Sequence, residues 1–370
     1  MFRAYLRRPI RLGILLILLV LLVLGAFPAL AANTARQVPP IQLGTSGGSP
    51  EAFSATTCCA GTLGALVSRD GVLYILSNNH VLTRFGATAI GENILQPGMA
   101  DVHCSAPLAN VVATYPGDLV PLGSHNVDTA LAKVIPGQVD ASGSLLGLGI
   151  PCSSTAAPAV GLQVIKAGRA TGTTTGTVQA IDVIATVRYQ TQCGGGGNTF
   201  TQTFTHQVTI APADFSAGGD SGSLVLTNSD PANRHPLALI FAGNDNVTIA
   251  NPIADVVAAY QAGGHSFGFV GKRCLGPLVA TWEPSQGGPS PARVARARRI
   301  KKDHETELLG RQGVIGVGVG RVTDRDDETE TAIVVYVEAE GSRLPRGLKL
   351  PKEIAGVKVR VIATGPFVAR

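Results

Sequence analysis

The sequence predicts an all-β body, a barrel or a sandwich, followed by a small α+β module. Three observations lead there. Gly (45) and Pro (23) are abundant and charged residues make up only 15% of the 370 positions, which favours turns over surface helices. From Cys58 to about Gly264, short β-rich runs alternate with Gly, Pro, Asn and Asp. Past a Pro/Gly-rich stretch, 282–292, the composition turns charged and helix-like.

The strands expected in the body are Leu63–Val67, Val72–Ser77, Val111–Tyr115, Thr129–Ile135, Gln163–Lys166, Thr177–Arg188, Phe200–Ile210, Ser223–Thr227, Leu237–Phe241 and Val247–Ala250. Ten short strands at this spacing fit a closed or double-layered antiparallel body, not a parallel α/β sheet. Asn251-Pro252-Ile253 then opens a short helix through about Gln261. In the C-terminal part, Arg293–Leu309 reads as a helix and Val314–Val322, Ala332–Glu338 and Val357–Ala363 as three strands. The expected organisation is a leader over 1–31, a flexible lead over 32–57, the β body over 58–275, a linker over 276–292 and the α+β module over 293–370.

The leader has the anatomy of an export signal. Arg3, Arg7, Arg8 and Arg11 precede the apolar run Leu12–Leu24, and Ala29-Leu30-Ala31 offers a small-x-small cleavage site. An uncleaved anchor is the alternative, because no charge interrupts Leu12 to Ala35. Either way the body lies outside the cytoplasm, secreted, periplasmic or at the cell surface, and touches a membrane only through this segment. Six cysteines, Cys58, Cys59, Cys104, Cys152, Cys193 and Cys274, all follow the cleavage point. An even number in an oxidising compartment implies up to three disulfides. Neighbouring Cys58 and Cys59 should bond to different partners, and Cys104 with Cys152 is one pairing expected. No Cys or His cluster has metal-site spacing, so neither a metal nor an organic cofactor is expected. The net charge of +5 is mild, and no basic patch interleaved with aromatics suggests nucleic acid as a partner.

Three segments carry the chemistry. Ser77-Asn78-Asn79-His80-Val81-Leu82 sets a histidine just past a strand end, where it can face a cleft. Asn126-Val127-Asp128-Thr129-Ala130 sets an aspartate before an apolar strand. Ser216-Ala217-Gly218-Gly219-Asp220-Ser221-Gly222-Ser223 places a serine on a glycine-flanked turn, which frees backbone N–H groups to face a developing oxyanion. Each alone has a bland reading as a turn or surface residue. Together, in the order His80, Asp128, Ser221 with gaps of 48 and 93 residues, they match one of the known arrangements of a Ser-His-Asp triad.

Over Cys59 to about Tyr260 the chain resembles the chymotrypsin/trypsin-like serine proteases. The segment around His80 is similar to the HtrA-like bacterial branch and the plant narrow-leaf-type proteases. Lys166-Ala167-Gly168-Arg169-Ala170-Thr171-Gly172 is similar to a Gly-Arg-Thr-Thr-Gly stretch of bacterial extracellular members. The resemblance implies two six-stranded antiparallel β-barrels packed face to face with the active site between them. It implies a secreted serine endopeptidase with a peptide or protein substrate, with the N–H groups of Gly219 and Ser221 as oxyanion hole. It also implies a specificity pocket at Phe215 and Gly243, favouring small or apolar side chains; a one-residue slip would put Asp214 there instead. No Ile-Val-Gly-Gly-like segment supplies a new N-terminus for Asp220, so trypsin-style activation is not expected. A catalytically silent protease scaffold and an esterase-type acyl hydrolase are the alternatives.

Gly316-Val317-Gly318-Val319-Gly320 lacks the strand–turn–helix context of a nucleotide loop and reads as strand glycines making room for close packing. The basic run Arg293, Arg296, Arg298, Arg299, Lys301 and Lys302 reads as a solvated helix face, with contact to an acidic surface as the sharper alternative.

Overall fold

The computed structural model describes residues 33–51, 54, 56–118, 120–193, 197–274, 288–324, 329–339 and 343–369. The leader over 1–31 and most of the expected linker over 276–292 lie outside the described residues. Among the described residues no helix is long and apolar enough to cross a membrane.

The protein is mostly β. The first half carries β1 (Thr45–Gly47), β2 (Gly61–Leu63), β3 (Ala65–Arg69), β4 (Val72–Ser77), β5 (Asn93–Gln96), β6 (Asn110–Thr114) and β7 (Ala130–Val134), with the four-residue helix α1 (Asn79–Leu82) after β4. The second half carries β8 (Gln163–Gly168), β9 (Gly172–Gln190), β10 (Thr199–Ala211), β11 (Leu224–Thr227), β12 (Pro236–Gly243) and β13 (Thr248–Pro252). Then come α2 (Ile253–Gln261) and β14 (Phe267–Phe269). The expected strands recur within a few residues; the run Leu63–Val67 divides into β2 and β3 at Gly64, where a Cβ would meet the Gly222 carbonyl at 2.0 Å.

The first sheet has six strands in the order β14-β3-β4-β7-β6-β5, so β14 returns from the second half to pair with β3. The second set pairs β8 to β9, β9 to β10, β10 to β13, β13 to β12, β12 to β11 and β11 back to β8. Each of these six antiparallel strands therefore has two neighbours within the set, the pairing that removes open edges. One cluster of buried side chains bridges both halves, joining Leu66, Ile75, Leu131 and Val112 with Leu224, Leu239, Ile253 and Val256. The site lies where these halves meet.

Two expectations about boundaries change. The lead over 32–57 is not a spacer where it is described: Ile41 and Leu43 are fully buried, β1 pairs with β2, and Ile41 and Leu43 bridge Val139 and Leu145. Apolar residues among the prolines give this segment area to bury, and that outweighs its turn-rich composition. Nor do the C-terminal strands stand apart. After α3 (Pro291–Leu309), β15 (Val314–Arg321), β16 (Thr331–Glu338), β17 (Glu353–Ile354), β18 (Val357–Thr364) and β19 (Phe367–Ala369) complete the chain. Strand β15 pairs antiparallel with β9, so the sheet runs on without a break into β16, β18 and β17. Helix α3 covers one face through Ala297 and Leu308 against Val317, Val319, Ile333 and Val335.

The glycines of β15 are what allow this junction. A Cβ at Gly316, Gly318 or Gly320 would sit 2.9 Å from Ile184 O, 2.6 Å from Val183 Cγ2 or 2.6 Å from Gln179 O. All three lie on the sheet face opposite Val317 and Val319 (period two along the strand), close against atoms of the neighbouring β9, which bears out the packing reading. The basic run of α3 is exposed at Arg293, Arg296, Arg298, Arg299 and Lys302. Lys301 departs from it: it is buried and pairs with Glu305 at 2.8 Å and Asp182 at 3.5 Å, tying α3 to β9.

The disulfides are Cys58–Cys104, Cys59–Cys193 and Cys152–Cys274. The adjacent cysteines do take different partners, but the pairing expected between Cys104 and Cys152 is not formed. Cys104 instead closes a small apolar cluster with Cys58, Met99 and Val102. Three such bridges fit a protein exported to an oxidising compartment.

Candidate active site

His80 is carried by α1, directly after β4. Its imidazole Nδ1 lies 2.6 Å from Asp128 Oδ2. Asp128, fully buried, stands just before β7, and the two asparagines ahead of His80 fix the approach of the segments. Asn78 donates its amide to the Asp128 carbonyl at 2.7 Å, and Asn79 donates its backbone N–H to Asp128 Oδ1 at 2.8 Å. A second donor reaches the carboxylate from β9: Tyr189 gives its hydroxyl to Asp128 Oδ2 at 2.9 Å. Burial, followed by the neighbouring Asp128 charge, pushes the Tyr189 phenol well above its usual range, so this hydroxyl stays a donor. Tyr189 also packs edge-on against the His80 ring, with centroids 5.9 Å apart.

Ser221 sits on the turn between β10 and β11. Gly219 and Gly222 take positive φ of 101° and 92°, conformations that side chains rarely adopt. At Gly222 a Cβ would also collide with Thr62 O and Ser77 Oγ at 2.2 Å. Among the described residues neither the Gly219 nor the Ser221 N–H has a hydrogen-bond acceptor, although the turn is otherwise well bonded. The Ser221 side chain is buried and its hydroxyl donates to the Phe241 carbonyl at 3.2 Å.

Asp220, between them, is the most heavily bonded carboxylate of the region. Its Oδ1 accepts the N–H groups of Ala170 (2.8 Å) and Thr171 (3.3 Å), and its Oδ2 accepts Ala217 N (3.0 Å) and Thr171 Oγ1 (2.7 Å). The Lys166 ammonium lies 3.3 Å away, and both side chains are wholly buried. Burial pulls the lysine pKa down while the Asp220 charge opposes that shift. The segment from Lys166 to Gly172 thus forms the socket of Asp220. A Cβ on Gly168 would come within 2.5 Å of Asp220 Oδ1, so only glycine fits there.

His80 and Gly219 line one cavity of about 530 Å³ together with Glu51, the Cys59–Cys193 bridge, Arg169, Arg188, Val368 and Ala369. Arg169 lies against Gly219 and is held by Asp101 through two hydrogen bonds of 2.7 and 2.8 Å. The predicted pocket residues fall elsewhere. Phe215 is fully buried in the core of the second half with Val178, Ile210 and Leu237, and Gly243 ends β12; neither lines this cavity. Sequence reasoning missed Tyr189 and Lys166. The alternation Val183, Ala185, Val187, Tyr189 marks the tyrosine as inward-facing, and a lysine inside an apolar strand was the signal for a buried partner.

No protein-family model and no curated protein matches the sequence. Solved structures do. A glutamic acid-specific serine protease, described as using a histidine triad in substrate binding, aligns over 62% of this chain and all of its own, at 20% identity and a TM-score of 0.41. Protease A of Thermobifida fusca aligns over 63% of this chain and 99% of its own, at 17% identity and a TM-score of 0.40. A Cellulomonas bogoriensis chymotrypsin covers the same shares, at 16% identity and a TM-score of 0.38. These neighbours are bacterial serine proteases.

Proposed function

We propose that the protein is an exported serine endopeptidase with His80, Asp128 and Ser221 as its triad. The observation that carries the reading is the 2.6 Å His80–Asp128 hydrogen bond beside a glycine turn whose Gly219 and Ser221 N–H groups have no acceptor among the described residues. Ser221 attacks the scissile carbonyl and His80 takes its proton, then returns it to the leaving amine. Asp128 holds the imidazole and stabilises its cationic form. Gly219 and Ser221 N–H bind the oxyanion, a contact whose single donors are worth about 3 kcal/mol. For attack, the Ser221 hydroxyl must leave the Phe241 carbonyl. Water then releases the acyl group.

The leader would supply export, cleaved or as an anchor. Kinship with the HtrA-like and narrow-leaf-type branches rests on the segment around His80 alone. The expected preference for small or apolar residues at Phe215 and Gly243 belongs to the same proposal, although neither residue lines the cavity. The buried Ser221 hydroxyl, held by Phe241, favours one rival, a silent scaffold. A fluorophosphonate probe separates the two: it should label the protein between pH 6 and 9, and Ser221→Ala and His80→Ala should each abolish labelling. Folded protein that never labels means the scaffold reading is right. A labelled protein that cuts no peptide library is an esterase.

A further inference from the structure

The pairing of β12 and β9 leaves a slot beside Ser221. Strand β11, with Ser223 and Gly222 ahead of it, pairs with β12 only as far as Ile240, because the chain before Gly222 is committed to the Ser221 turn. Phe241, Ala242 and Gly243 therefore present one edge of β12 that β11 does not cover. On the facing side, β15 pairs with β9 only as far as Ala185, which leaves Val187 and Arg188 uncovered by β15. Unpaired strand edges of this kind are templates for an added extended peptide.

The chain fills the slot with its own strand β19. Strand β19 runs antiparallel to β12, with Val368 opposite Gly243 and Ala369 opposite Ala242, and parallel to β9, with Phe367 opposite Val187 and Val368 opposite Arg188. The next residue along β12 is Phe241, whose carbonyl accepts the Ser221 hydroxyl. Val368 and Ala369 line the same cavity as His80 and Gly219. Phe367 anchors the strand. It is buried, 5.5 Å from the Tyr336 ring by centroid, and it packs over Gly316, where a Cβ would stand 3.1 Å from its ring. By contrast Val368 is 37% exposed, so the segment beyond the anchor rests on backbone pairing more than on burial.

We infer that the slot between β12 and β9 is the binding site for an extended peptide, and that β19 is its resident occupant, a substrate mimic in cis. The inference rests on the peptidase reading of the Ser221 site and adds its regulation. A peptide substrate pairs with Ala242 and Gly243 only after β19 has left. The C-terminal strands are then a cover that delivers this strand: β15 fixes them to β9, and β19 returns from them to the site. If only about a tenth of molecules have an open slot, apparent affinity for peptide falls about tenfold.

The test removes residues 368–370 and keeps the Phe367 anchor; Val368→Pro, which deletes a ladder N–H, serves if the shortened chain does not fold. Labelling by the fluorophosphonate should run about tenfold faster than in the full chain, and a synthetic peptide of residues 366–370 should slow it again. In parallel, a fluorescent form of that peptide should bind the shortened Ser221→Ala protein and not full-length Ser221→Ala. Equal labelling rates in the two forms, or a peptide that binds neither, overturns the inference and leaves the peptidase reading standing. If no form labels, the peptidase reading fails, and the binding comparison still decides whether β19 occupies a peptide slot.

Discussion

The candidate site holds two buried aspartates, Asp220 and Asp128, and they are held by different kinds of partner. Asp220 is locked: a lysine ammonium, a threonine hydroxyl and three backbone N–H groups surround it, all from the turn it sits on or from the 166–172 segment. Asp128 has no lysine or arginine partner among the described residues. It receives two backbone N–H groups, a tyrosine hydroxyl and an imidazole whose charge can change. A permanent ion pair suits a carboxylate that shapes a turn. In the proposed triad Asp128 answers to a proton moving on and off His80, a task that calls for donors that hold the carboxylate without neutralising it. Lys166 brings the cation to Asp220 from inside the fold.

The largest way to break this comparison is to take the cation from Asp220. Lys166→Met leaves a buried carboxylate without its counter-charge, which costs about 3–5 kcal/mol. Thermal melting should show that loss, and fluorophosphonate labelling should fall with it as the Ser221 turn loosens. The double variant Lys166→Met with Asp220→Asn should recover much of the stability, because neither charge is then buried alone. A single variant that melts like the parent would show that the ammonium is not what holds Asp220.

On the other side, Tyr189→Phe removes one donor from Asp128 and keeps the ring that packs on His80. A hydrogen bond to a charged group contributes about 1.5–3 kcal/mol. The loss should fall on kcat, with KM little changed, because the hydroxyl positions the carboxylate and does not line the cavity. A rise in KM at constant kcat would instead make Tyr189 part of the substrate site.

The motifs could be read from sequence because their residues are neighbours in the chain: the turn around Ser221, the asparagines before His80, the strand after Asp128. Most strands were legible for the same reason, through local alternation and turn residues. What escaped is pairing at a distance. The Lys166 strand reads as an ordinary β run, and only folding places its ammonium against Asp220, 54 positions on. The lead and the last strand escaped because their composition is that of a spacer and a chain end. Their role comes from the edges they meet, β2 and β5 for the lead and β12 and β9 for β19. Likewise the C-terminal strands read as a separate module, because local pattern cannot reveal that β15 pairs with β9.

A third carboxyl sharpens the contrast, because no hydrogen-bond donor reaches it among the described residues. Glu51 lines the cavity with His80, and burial raises its pKa from 4.5 to about 6, with Arg84 opposing the shift. Arg84 is itself taken by Glu92 at 2.6 Å, so its help is shared. Because the folded pKa is raised, the protonated form is favoured in the fold. Its stabilisation is complete below about pH 4.5 and is lost as pH rises through about 6. Glu51→Gln, which keeps the neutral shape at every pH, should therefore gain melting temperature relative to the parent between those two pH values and hold a constant gain above them. Solvent reaches this side chain, so the gain should stay below about 1 kcal/mol. A difference that does not change with pH would mean that burial in the cleft does not raise the Glu51 pKa.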